Sequence, residues 1–233
     1  MTELELRTLY VDTFRSYYGA EQGSAQHKEL LDYYNINPNL PRGYRMTVND
    51  PWCAATVSAI GIRLGLEGVV FPECSCGKMI DLYKAAGRWV EADDYVPQPG
   101  DLIIYDWDDD GKGDCTGDPE HVGAVVRITD GVIRVIEGNM GNPGKVWHRD
   151  IPVNGKYIRG FCCPDYATLA TNTDREEETD VKTYNTVQEL PEYAQATVQK
   201  LVDSGALKGT GEGLGLSEDM ARILVILDRM GKL

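Results

Sequence analysis

Long apolar runs are missing from this sequence. No stretch approaches the roughly eighteen consecutive apolar residues that a bilayer-spanning helix needs, so no membrane span is expected. The opening MTELELRTLYVDTFRSYY has neither a basic start nor an uninterrupted apolar core, and no signal peptide is read there. The expectation is a chain made in the cytoplasm. Basic residues are scarce: 23 Lys and Arg against 37 Asp and Glu leave a net charge of −14. That charge opposes a polyphosphate backbone or an anionic membrane surface, which excludes nucleic acid as an expected partner. Cysteines are six, too few and too uneven for a small disulfide framework. Cys74 and Cys76 form only CxC, and Cys162 and Cys163 are adjacent, so neither pair has the CxxC spacing of a structural zinc site. Most are expected to be free, buried or inert thiols.

What is present fits an α+β domain followed by a smaller unit. Residues 1–170 read as the larger domain. Leu6, Leu9, Tyr10, Phe14 and Tyr17 recur near helical spacing, and Ser24 is a candidate N-cap for a second helix. In DPWCAATVSAIGIRLGL, Asp50 reads as an N-cap and Pro51 as the first helical residue, which puts Cys53 in the first turn. A further helix is expected near Lys78 to Gly87. From Pro99 onward DLIIYDW, HVGAVVRI, VIRVIEGN, KVWHRDI and YIRGF read as strands with short connections, hence antiparallel neighbours. The polar run over 171–184 has the composition of an acidic linker. Residues 185–233 carry two helical patterns, EYAQATVQKLVDSG and SEDMARILVILDRMG, in a unit too short for a large core of its own.

Cys53 is the candidate nucleophile. A helix N-terminus favours a thiolate through its unpaired amides and positive dipole end, and a histidine can take the thiol proton and return it to a leaving amine. Of His27, His121 and His148, His121 opens a strand and can stand at a sheet edge. The hairpin to the next strand turns around Thr129, Asp130 and Gly131. A three-residue loop would pair Ile128 with Val132, Gly123 with Glu137 and His121 with Asn139, bringing the polar side chains to one face. A two-residue loop would turn Glu137 and Asn139 to the other face. Taken singly, a cysteine at a helix start is usually a small buried side chain, and a histidine beside a strand is usually surface; the combination is more specific.

The runs PWCAATVSA, PQPGDLIIYDW, HVGAVV and VIEGN, in that order, resemble the CHAP family of cysteine amidases and peptidases within the papain-like group. The resemblance spans roughly Leu4 to Asp165. It implies a papain-like fold with Cys53 as nucleophile, His121 as base, and Glu137 and Asn139 as the partners of the histidine, Glu137 the direct one. It also implies an enzyme that cuts an amide bond of peptidoglycan without a required cofactor, as amidase or endopeptidase, in the manner of phage endolysins acting on the wall after release. The alternative is a catalytically silent wall-binding or structural module.

Trp52 and Trp107 are candidates for lining the substrate cleft, each equally suited to core packing. Asp106, Asp108, Asp110 and Gly111 match D-x-D-x-D-G, with Asp114 further on, a pattern that suits calcium. Gly117 stands where the bidentate glutamate of such a loop belongs, so the segment reads first as an acidic solvated loop, with structural calcium the second reading. The C-terminal unit resembles a single divergent S-layer homology repeat, which implies a cell-wall polymer as partner; a homodimer through its apolar helix faces is the other expectation.

Overall fold

The computed structural model describes residues 1–92, 94–109, 117–170, 183–209 and 213–233. The chain divides into two compact units, Met1–Asn172 and Thr173–Leu233. Among the described residues no helix is long and apolar enough to cross a membrane.

The first unit is α+β. Its helices are α1 (Glu3–Arg15), α2 (Ala25–Asn35), α3 (Cys53–Arg63), α4 (Cys76–Ala85) and the short α5 (Tyr166–Leu169). Its strands are β1 (Trp89–Val90), β2 (Leu102–Tyr105), β3 (His121–Thr129), β4 (Val132–Met140), β5 (Lys145–Pro152) and β6 (Ile158–Cys162). They form one antiparallel sheet in the order β1-β6-β2-β3-β4-β5. One face, carrying Leu102, Ile104, Val122, Ala124 and Ile136, packs on the helices with Tyr10, Trp52, Val57 and Ile60. The other carries Ile103, Tyr105, Val125, Ile133, Val135 and Phe161. With both faces covered, β2 is buried along its length, which is why LIIY shows no polar alternation.

Local chemistry sets the helix starts. Thr2 closes a capping box with Glu5 ahead of α1, and Ser24 caps α2 by accepting from the His27 amide. At α3 the expectation from the sequence is corrected: the helix begins at Cys53, with Trp52 at the cap position and no side-chain cap. Asp50 is taken up earlier, accepting from the Thr47 amide at 2.6 Å, the Thr47 hydroxyl at 2.8 Å and the Tyr44 hydroxyl at 3.0 Å. Its carboxylate closes a local turn instead of a helix, the competition that makes aspartate a capping residue in the first place.

The β3–β4 hairpin also departs from the expected geometry. The loop has two residues, Asp130 and Gly131, both with positive φ (51° and 74°), the conformation that matches the twist of paired strands. Ile128 therefore faces Ile133 rather than Val132. The ladder then shifts register between Val125 and Arg127, and below the shift Val125 faces Val135 and Gly123 faces Glu137. Val126 is thus the extra residue of a β-bulge. The bulge flips the phase of β3: Val122, Ala124 and Val126 face the helices, whereas Ile128 packs on the opposite face. Turn and bulge each differ from the simple hairpin by one residue, and they cancel at the site.

The second unit contains a small two-stranded sheet, β7 (Thr183–Tyr184) with β8 (Leu216–Ser217), and two helices, α6 (Glu192–Asp203) and α7 (Glu218–Arg229). Tyr184, Leu190, Ala194, Val198, Leu216, Ala221 and Val225 form a core of its own. Met220, Ile223, Ile226 and Met230 remain exposed on or beside α7.

Candidate active site

The start of α3 meets the start of β3, a central strand flanked by β2 and β4. Cys53, the first residue of α3, is 5% exposed, and His121, the first of β3, is 7% exposed. Cys53 and His121 lie close enough for each to shift the other's titration. His121 Nε2 lies 3.1 Å from Glu137 Oε2, and Glu137 is fully buried. Three of the four side chains expected at the site from sequence, Cys53, His121 and Glu137, are therefore brought together, with His121 between the other two.

Electrostatics order the set. The Cys53 thiol is held well below its ordinary range, by the hydrogen bond from Cys76 first and then, against the cost of burial, by His121 and the Ala54 amide. Burial works against the His121 cation, but the bonds to Cys53 and Glu137 prevail and raise its pKa to about 9. Burial pushes the Glu137 carboxyl up, yet His121 and Arg149 hold it below its ordinary value. These shifts favour a thiolate–imidazolium pair backed by a carboxylate.

Arg149 was not legible as a site residue. It sits on β5 opposite Val135, two positions along from Trp147, which pairs with Glu137. Its Nε donates to Glu137 Oε1 at 2.7 Å and its Nη2 to Oε2 at 3.0 Å. The guanidinium lies over the rings of Trp107 at 4.8 Å and Tyr105 at 5.4 Å, and those two rings stack 4.9 Å apart. The sequence signal was only an arginine on Glu137's side of a neighbouring strand, and no sequence rule sets the β4–β5 register.

Two glycines make room. A Cβ on Gly123 would lie 2.6 Å from Glu137 Cγ, and one on Gly138 would lie 2.3 Å from Thr56 Oγ1 of α3. The first lets Glu137 lie over β3, and the second lets β4 press against the nucleophile's helix.

Other expected residues fall differently. Asn139 has φ 57° and lies where the β4–β5 register shifts; no β3–β4 pairing to His121 forms. Its Oδ1 would be 2.3 Å from a Cβ on Gly144, so it is directed toward that loop. Trp52 is fully buried and packed on His27 at 4.3 Å, which makes it core rather than cleft lining. Trp107 stands beside the site, 5.9 Å from the His121 ring, and lines with Arg149 and Tyr157 a cleft of about 260 Å³. His148 lies apart, facing the Val135 carbonyl at 3.3 Å and the Tyr18 ring at 4.8 Å. A second cleft of about 230 Å³ reaches Pro51 and Ser75, just before the starts of α3 and α4.

Of the calcium candidates, Asp106 is buried and accepts from the Asp108 amide at 2.9 Å, while Asp110 and Asp114 lie outside the described residues. Among the described residues no group of three or more His, Cys, Asp or Glu side chains is placed to hold a metal ion. The five described cysteines, Cys53, Cys74, Cys76, Cys162 and Cys163, are free thiols. Cys76, expected to be inert, has its sulfur 4.0 Å from that of Cys53.

Residues 44–139 match the family model described as the CHAP domain, a stretch that includes Cys53, His121, Glu137 and Asn139. The match supports a CHAP-family domain over these residues. No curated protein and no solved structure matches the chain.

Proposed function

We propose that the first unit is a cysteine peptidoglycan hydrolase of endolysin type that cleaves an amide bond of the bacterial wall, as an amidase or an endopeptidase. The observation that carries this reading is His121 held between the Cys53 sulfur and the buried Glu137 carboxylate at the start of α3. In the reaction the Cys53 thiolate attacks the amide carbonyl, and the oxyanion forms beside the first-turn amides of α3, which lack helical partners. His121 gives its proton to the leaving amine, the C–N bond breaks, and a thioester remains on Cys53. His121, now neutral, takes a proton from water, and the hydroxide releases the acid and restores the thiol pair. Glu137 keeps the ring oriented and supports its cationic form, and Arg149 keeps Glu137 ionised. Asn139 is assigned to the substrate side, and Trp107 to the cleft wall.

Peptidoglycan is the proposed substrate because the CHAP family match points to wall hydrolysis and a net charge of −14 disfavours polyanions. The second unit is proposed to bind a cell-wall polymer as an S-layer-homology-like repeat. Its exposed Met220, Ile223 and Ile226 also suit a homodimer contact. Zymography on purified walls tests the central reading: clearing by wild-type protein and none by Cys53→Ala is expected, and equal clearing by both would overturn it. Mass spectrometry of the released muropeptides then assigns the bond.

A further inference from the structure

Two helices in the first unit begin with a cysteine, and their sulfurs meet. Cys53 opens α3, Cys76 opens α4, and both side chains are buried, 5% and 8% exposed. The 4.0 Å separation of the sulfurs is hydrogen-bonding distance for a thiol and a thiolate.

The approach is held by a dedicated set of bonds. Ser58, in the middle of α3, donates its hydroxyl to the Glu73 carbonyl at 2.7 Å and accepts from the Glu73 amide at 2.9 Å. The buried Glu73 carboxylate then accepts from the Cys74 amide at 2.7 Å, the Ser75 amide at 3.0 Å and Arg42 Nη2 at 2.6 Å. Ser75 caps α4 directly before Cys76. The turn that delivers Cys76 is thus bonded to the helix that delivers Cys53, which fixes one thiol against the other.

Side by side in a buried site, two sulfurs cannot both ionise at ordinary pH. Cys53 has His121 as a cationic partner, and among the described residues no cation is bonded to Cys76. The proton therefore stays on Cys76, where it has a thiolate to face. We infer that Cys76 is a further catalytic residue, whose S–H donates to the Cys53 sulfur and helps to hold it as the reactive thiolate. The inference rests on the reading of Cys53 as nucleophile. It gives the sulfur a donor that persists when His121 hands its proton to the leaving amine, and no proton moves between the two sulfurs.

The test is alkylation of Cys53 by iodoacetamide across pH in the full-length chain, read site by site by peptide mass spectrometry, which requires no wall substrate. In wild-type protein Cys53 is expected to alkylate well below the pH at which ordinary thiols react. Cys76→Ala should move that curve up by about one pH unit, the order of a lost hydrogen bond to a charged group. Cys76→Val, which fills the thiol's space without a donor, should do the same and serves if the alanine variant fails to fold. Cys76→Ser, which keeps a donor, should restore most of the wild-type curve, and the acidic limb of wall hydrolysis should follow the same order. A low-pH Cys53 curve unchanged in the alanine and valine variants, or a serine variant displaced as far as they are, would overturn the role of Cys76 and leave the nucleophile assignment standing. A wild-type Cys53 that reacts only as an ordinary thiol would overturn both.

Discussion

Arg149 grips Glu137 with two parallel donors, one to each carboxylate oxygen, while His121 faces the oxygen that Arg149 reaches through Nη2. The charges therefore alternate along one line: thiolate, imidazolium, carboxylate, guanidinium.

Arg149→Lys should lower wall hydrolysis because an ammonium is a point donor and cannot reproduce the fork. Loss of one bond to a charged group corresponds to about tenfold in rate. The fall should appear in kcat with little change in KM, since Arg149 acts through Glu137. A lysine variant with the wild-type kcat would mean that Glu137 is held by its burial alone.

Glu137→Gln should narrow the pH range of activity from the alkaline side. The His121 pKa of about 9 rests on Cys53 and Glu137 working against burial. Without the carboxylate charge the imidazolium is lost at lower pH, so the alkaline limb should fall by about one pH unit while the acidic limb, set by Cys53, moves little. A pH–rate profile that keeps its alkaline limb near 9 would remove Glu137 as the support of the cation.

Cys53→Ser should abolish hydrolysis with an unchanged circular dichroism spectrum, because the change replaces one chalcogen by another in nearly the same volume. His121→Ala should be equally inactive. His148→Ala should retain most activity, since His148 bonds to a backbone carbonyl away from the site. An essential His148 would move the catalytic centre elsewhere.

Gly123→Ala should cost both stability and activity. Its new methyl would stand 2.5 Å from Val135 Cγ1 and 2.6 Å from Glu137 Cγ, so the carboxylate side chain must shift. A loss of about 1–3 kcal/mol is the usual scale for such overpacking, measurable by thermal melting beside the drop in rate. Gly131→Ala provides the contrast. Nothing lies within 4 Å of its Cβ, but φ is 74°, so it should cost about 1 kcal/mol in strain and spare the rate.

The legible parts of this molecule are those that local chemistry decides. The α+β order, the strand runs and the placement of Cys53 at a helix start follow from period and punctuation. The hairpin reading puts His121, Glu137 and Asn139 on one face with a loop one residue too long, because neither the two-residue turn nor the bulge at Val126 has a signal strong enough to be read alone; the choice of Glu137 as the ring's direct partner comes from the family resemblance. Asp50 carries a capping residue's chemistry but spends it on Thr47 and Tyr44. Arg149 and Cys76 were out of reach for a different reason: each enters through an approach of two elements, β5 to β4 and α4 to α3, that no local pattern fixes. Asn139 shows the limit of period-two reasoning, since its positive φ takes it out of the alternation.

Strand alternation has parity, and the β3–β4 hairpin conserves it. Deleting Val126 would leave Arg127 opposite Arg134, Val125 opposite Val135 and Gly123 opposite Glu137, so the His121 half of β3 would keep its face. Inserting one residue between Gly123 and Val125, with the bulge kept, would instead bring Gly123 opposite Gly138 and exchange inside for outside along that half. Length changes in this strand are therefore asymmetric: the bulge absorbs the loss of one residue, and the gain of one flips the site. A one-residue gap opposite Val126 in an alignment would here leave the site in register.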